Sequence, residues 1–208
     1  MLYLAQLCFL LARFNSSCFE WRFTAPDPVH SLNTTAYLGR WYQVYASFLM
    51  KYSIELGSNC ATLDYSAVAG RPDEITVVHT QQFFGKTVQV SGYAVADRED
   101  AGIFDFTFWP FGKPAVPPTT TTPHGNHIVV GLGPIVGGKY DYSIVTDPLK
   151  VSLYVLTHDV ERFSTLYESY ALKAAVELGF KHFWNRPLKT NQEGCAYVEG
   201  PSSFFIIM

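Results

Sequence analysis

The stretch Ile103-Phe104-Asp105-Phe106-Thr107-Phe108-Trp109 decides how this chain folds. Successive side chains of a strand point to opposite faces, so Phe104, Phe106 and Phe108 share one face and Asp105 and Thr107 the other. The three phenyl rings need an apolar interior, and the polar pair needs water. The pattern recurs on either side. In an earlier run Ala61, Leu63 and Tyr65 oppose Thr62 and Asp64, and in the next Val88, Val90, Gly92 and Ala94 oppose Thr87, Gln89 and Ser91. Later, Tyr140, Tyr142 and Ile144 oppose Asp141 and Ser143. Two runs are ambiguous. Either Ile128, Val130 and Leu132 or Val129 and Gly131 can face inward, and Val151, Leu153 and Val155 compete with Ser152, Tyr154 and Leu156.

Eight strands are expected, at 40–48, 61–67, 74–83, 87–96, 103–109, 128–135, 140–146 and 151–157. Short turns such as Gly70-Arg71-Pro72-Asp73, Phe84-Gly85-Lys86 and Gly137-Gly138-Lys139 separate them, which argues for an antiparallel meander. A flat sheet of that size exposes two adhesive edges, and closure removes both. The expected fold is therefore all-β: an eight-stranded antiparallel up-and-down barrel. Its interior is wide enough for packed side chains or one small ligand. From 160 to 180, Phe163, Leu166, Tyr167, Tyr170, Ala171, Ala174 and Leu178 form a stripe of period 3.6, so one C-terminal helix should pack outside the barrel, with Gly179 as its C-cap. Gly92 and Ala94 are small and are expected to leave room inside.

Composition supports a packed, aromatic-rich interior. Of 208 residues, 16% are aromatic and only 16% charged. The net charge of -3 provides no footprint for a phosphate backbone, so nucleic-acid binding is not expected. No apolar run reaches the roughly 20 residues of a membrane-spanning helix.

Residues 2–12, LYLAQLCFLLA, resemble the apolar part of a secretory signal. The domain reading is a leader at 1–17, a barrel domain at 18–200 and an apolar tail at 201–208. The cysteines are Cys8, Cys18, Cys60 and Cys195, and removal of the leader leaves three. Asn33-Thr34-Thr35 is an N-glycosylation acceptor pattern. Residues 114–123 form an extended Pro/Thr loop between the fifth and sixth strands.

The segment Tyr37-Leu38-Gly39-Arg40-Trp41-Tyr42-Gln43-Val44 resembles the G-x-W signature that opens the first strand of lipocalins. It is followed in order by Asn59-Cys60, by Thr146-Asp147-Pro148, by Ser152 to Thr157, then by an acidic turn, a helix and a late cysteine. The combination is most similar to the apolipoprotein D-like and bacterial-type lipocalins. The resemblance implies a barrel closed at one end and a non-catalytic role, holding small apolar molecules in the cup. It implies a seal formed by Gly39, Trp41, Thr146 and Asp147, with His158 where the family places an arginine across the tryptophan ring. Neutral imidazole can still stack there, without the fixed charge. By the same analogy Tyr154 and Leu156 face inward. The resemblance also implies a disulfide between Cys60 and Cys195, and leaves Cys18 unpaired or paired outside the chain.

No nucleophile elbow, phosphate-binding glycine loop or H-E-x-x-H motif is present. His124-Gly125-Asn126-His127 reads as surface loop, because two histidines without a third ligand are a weak metal signal. No cofactor, metal or enzymatic activity is expected. The chain reads as a secreted carrier whose cavity is lined by Leu63, Tyr65, Val90, Gly92, Phe104, Phe106, Phe108, Tyr142, Ile144, Tyr154 and Leu156. That set contains no Lys or Arg, and a buried carboxylate without a partner is costly, so neutral ligands are favoured: sterols, terpenoids, retinoid or carotenoid alcohols. Two other classes are carried forward. One is a partner-binding module with a filled barrel. The other is an isomerase or synthase using a Cys60 thiolate. Further partner readings are peripheral contact with a membrane or lipoprotein, and a monomer or weak dimer.

Overall fold

The computed structural model describes residues 25–97, 100–109 and 125–198. The expected leader, Cys8, Cys18, the 114–123 loop, His124 and the 201–208 tail lie outside the described residues. A short helix α1 (Thr34–Tyr37) precedes strand β1 (Gly39–Ser47). One helical turn, α2 (Phe48–Lys51), leads to β2 (Ser58–Val68), β3 (Arg71–Phe83), β4 (Lys86–Ala96), β5 (Ile103–Trp109) and β6 (His127–Leu132). A small hairpin, β7 (Ile135–Val136) and β8 (Lys139–Tyr140), precedes β9 (Tyr142–Thr146) and β10 (Leu153–Thr157). Helix α3 combines an α turn at Val160–Arg162, a π-helical stretch at Phe163–Tyr167 and an α-helical length at Glu168–Glu177. Strand β11 (Pro187–Lys189) comes last.

Strands β1 to β6, β9 and β10 pair antiparallel in order, and β10 pairs back onto β1. The result is the closed eight-stranded barrel expected from the sequence, with the helix outside and β11 added at the open half of β1. The Phe104–Phe106–Phe108 row points inward: Phe104 and Phe106 pack with Tyr37, Trp41, Leu63, Tyr65, Val77 and Ala94 in one central cluster.

Bulges interrupt the simple alternation. In β1, Gln43 faces Leu156 and Tyr45 faces Val155, leaving Val44 as the extra residue. Val44 and Tyr45 then both pack against the helix with Phe163 and Ala171. In β6, Val129 faces Val145 but Gly131 faces Ile144, so Val130 is extra and the inward row switches. Val129 and Leu132 belong to the interior, while Val130 packs with the helix. Neither of the two candidate rows for this strand is therefore correct as a whole, because a bulge changes the parity midway. In β2 the register slips between Asn59 and Thr62, and Cys60 takes a φ of +53°. This carries its sulfur to Cys195, forming a disulfide across 135 residues of chain.

Of the inward row expected at 140–146, Tyr140 reaches the interior cluster from β8, but within β9 the row is reversed. Val145 lies in the interior cluster, whereas Tyr142 packs on Phe163 and Ile144 on Leu153, Ala175 and Phe180. A strand covered by a helix has two apolar faces, and its larger residues here took the outer one. Most of the expected helix stripe packs on the barrel: Phe163, Tyr167, Ala171, Ala174 and Leu178. Phe163, Ala171 and Ala175 are buried, while Leu166 is 51% and Tyr170 68% exposed. Leu166, within the π-helical stretch, and Tyr170, just after it, lie on the solvent side.

Candidate binding cavity

The floor is built first. Glycine at position 39 has a φ of +110° and admits His158 Cε1 within 3.6 Å of where a Cβ would sit. Trp41 is fully buried, and its Nε1 donates to the Tyr37 carbonyl at 2.7 Å. The His158 ring lies 3.9 Å from the Trp41 ring, tilted by 34°, in the position expected for it. Its Nδ1 meets the Arg40 carbonyl at 2.6 Å, and burial lowers its pKa. Above this, Tyr37 stacks between Tyr65 and Phe104 at 5.6 and 6.1 Å. Lys139 donates to the carbonyls of Thr35 and Leu38 at 2.9 and 2.7 Å, tying α1 beneath the barrel.

Thr146 and Asp147 are not at this end. Thr146 pairs with Leu153, at the far end of β10 from His158. Asp147 instead holds the β9–β10 turn, accepting from the Ser152 and Leu149 amides. The carboxylate beside the seal belongs to Asp141, 2% exposed, which accepts from Arg162 Nε at 2.7 Å.

Over the floor lies a cavity of about 90 Å³, bounded by Gln43, Leu63, His79, Phe106, Phe108, His127, Tyr154 and Leu156. Five of the expected lining residues are here. Tyr65 and Phe104 sit lower, within the packed floor. Val90 is half-buried opposite His79 in the β3–β4 ladder. Gly92 provides no room: a Cβ there would lie 2.3 Å from the Thr107 carbonyl oxygen and 3.0 Å from Phe108, so neighbouring β5 already uses the space. Tyr142 and Ile144 are outside the barrel, under the helix.

Sequence reasoning missed Gln43, His79 and His127. The signal was present, since Gln43 shares the parity of Trp41, His79 that of Ile75 and Val77, and His127 that of Val129. His127 is not in a surface loop. It opens β6 inside the barrel, 9% exposed, with its ring stacked on Phe106 at 3.9 Å and 7°. Burial lowers the pKa of His79 to about 4 and of His127 to about 3, so both imidazoles are uncharged at neutral pH. Neither Nε2 has a hydrogen-bond partner among the described residues. Gln43, by contrast, is satisfied: its Nε2 donates to Glu55 at 2.8 Å and Thr190 at 3.2 Å. Among the lining residues there is no Lys, Arg, Asp or Glu.

A larger groove, of about 440 Å³, runs outside the barrel between the helix and residues 189–193. Lys189 on its wall pairs with Glu168 at 3.1 Å, and its lining includes no buried, orphaned polar atom. The barrel cavity is the better candidate site.

Solved structures share this fold. Insecticyanin from the tobacco hornworm Manduca sexta aligns with a TM-score of 0.54 and 16% identity, covering 80% of this chain and 85% of that one. Per a 4, a major allergen from cockroaches, aligns with a TM-score of 0.50 and 16% identity, covering 78% and 89%. Both are lipocalins, and at this identity the likeness is one of fold. No family model and no curated protein matches the chain in sequence.

Proposed function

We propose that this chain is a secreted carrier of a small, neutral, hydrophobic molecule, held in the barrel by partition from water. The observation that carries the reading is the cavity beside Phe106 and Phe108, whose lining includes no ionisable carboxylate and no fixed cation. Apolar ligand surface buried there contributes about 25 cal/mol per Å². The cavity is smaller than the roughly 300–1,000 Å³ of common small-molecule sites. Slender terpenoid or chain alcohols therefore suit it better than sterols or carotenoids, which require Phe108 to swing out. Phe108 is 39% exposed at the cavity's edge and is placed to do so.

Secretion is supported by the leader-like N-terminus and by the Cys60–Cys195 bond, since disulfides persist in oxidising compartments. Asn33 is exposed, which suits a glycan at its Nδ2, although its Oδ1 already caps α1 through the Ala36 amide. The order of motifs and the disulfide support a kinship with the apolipoprotein D-like lipocalins. Pairing of Cys60 removes the thiolate that a lipocalin-type isomerase would need.

The test is displacement of N-phenyl-1-naphthylamine, a fluorescent apolar probe, by a fatty alcohol and the matching fatty acid. The alcohol should displace it more strongly, with quenching of intrinsic tryptophan emission. An acid that outcompetes its alcohol overturns the preference for neutral ligands. One observation favours a second reading, a partner-binding module with a filled barrel: the small cavity coexists with exposed Tyr52, Ile54, Leu56 and Phe84 on the connections β1–β2 and β3–β4. Under that reading neither the probe nor the alcohol binds.

A further inference from the structure

We propose that His79 and His127 form a polar clamp that selects, among uncharged hydrophobic ligands, those carrying a hydroxyl group; the inference rests on the carrier reading above. The two residues come from β3 and β6, which are not neighbours, yet they line the same cavity. Aromatic rings of β5 set their orientation, Phe106 against His127 at 3.9 Å and Phe108 near His79 at 6.4 Å. Each Nε2 is buried and unpartnered. A buried polar atom without a partner is destabilising, and native interiors seldom keep two of them on one cavity without a use.

The chemistry of the pair narrows the ligand. A neutral imidazole has one donor nitrogen and one acceptor nitrogen, and the tautomer sets which is Nε2. A hydroxyl both donates and accepts, so it satisfies an Nε2 in either tautomer. A hydrocarbon leaves both nitrogens unpartnered. A carboxylate only accepts, and no Lys or Arg lines the cavity to balance its charge. Burial holds both imidazoles neutral at neutral pH, which agrees with an uncharged partner.

The experiment compares citronellol, citronellic acid and 2,6-dimethyloct-2-ene as displacers of N-phenyl-1-naphthylamine from the full chain. The alcohol should bind about tenfold tighter than the hydrocarbon, and tighter than the acid. His79→Leu or His127→Leu should abolish that advantage, so that citronellol and the hydrocarbon bind the variant with equal affinity. His127→Gln, whose amide reaches the Nε2 position, should retain part of it. Nitrogen NMR of the unmutated protein supplies a readout that needs no variant: the Nε2 resonances of both histidines should shift with citronellol and not with the hydrocarbon. Equal affinities for alcohol and hydrocarbon, or unmoved Nε2 resonances with bound citronellol, overturn the clamp and leave the carrier reading standing. If neither the probe nor any of the three compounds binds, the carrier reading falls and the clamp with it.

Discussion

Trp41 and His127 show how much depends on single side chains. Trp41 fills the closed end of the barrel, and its replacement by alanine removes the ring that His158 and Tyr37 pack against. Deletion of a buried tryptophan costs about 3–5 kcal/mol, so Trp41→Ala should lower the unfolding free energy from urea titration by that amount or leave the chain unfolded. His127 makes a prediction about acid. Its folded pKa of about 3 lies below the ordinary 6.5, so the unfolded chain takes up the proton first as pH falls. Stability is therefore full above pH 6.5 and declines on the way down, by about 3 kcal/mol from this residue at pH 4. His79 acts in the same direction. Glu55 opposes them, because burial raises its carboxyl. Urea titrations between pH 7 and 4 should show a shallower decline in His127→Leu than in the parent chain, and equal slopes would contradict the burial of this imidazole.

At the scale of elements, bulges and one covalent bond set the geometry. The bulge in β6 lets His127, Val129 and Leu132 all face inward, which no unbroken strand allows. The β4–β5 contact at Gly92 is equally specific. Gly92→Val would drive a branched side chain into the Thr107 carbonyl, 2.3 Å from the Cβ position, and should part the two strands. A loss of roughly 1–3 kcal/mol is expected, with faster amide exchange along β5. The Cys60–Cys195 bond closes a loop of 135 residues and pins the chain after β11 to the barrel wall. In the chain-entropy model it contributes about 5 kcal/mol. Cys60→Ser with Cys195→Ser should lower stability by up to that amount in denaturant titration, while far-ultraviolet circular dichroism still shows the sheet.

At the scale of the whole molecule, the barrel is nearly full, and the volume left decides what it can hold. Phe108 is the ring that guards that volume. Phe108→Ala enlarges the cavity at its exposed side, so retinol should gain affinity by on the order of tenfold relative to citronellol. A ratio unchanged from the parent would mean that Phe108 does not limit ligand size.

Much of this molecule follows from local chemistry. Period-two alternation in Phe104–Phe108 and short turn motifs are enough for a closed antiparallel meander, because both are properties of neighbouring residues. The same parity places Leu63 at the cavity, whereas for Tyr154 and Leu156 parity leaves two rows open and only the family resemblance points inward. What local pattern does not carry is which apolar face of a strand looks inward once a helix covers the other. Tyr142 and Ile144 ended outside for that reason, and Thr146 and Asp147 lie away from the seal because strand direction, not motif order, sets the end of the barrel. Bulges at Val44, Val130 and Cys60 reverse parity in mid-strand, and pairing partners far along the chain impose them. The approach of His79 and His127 from separate strands belongs to the same class. Only closure of the sheet brings two unpartnered imidazoles onto one cavity, and the space between them is what the packing of distant side chains leaves over.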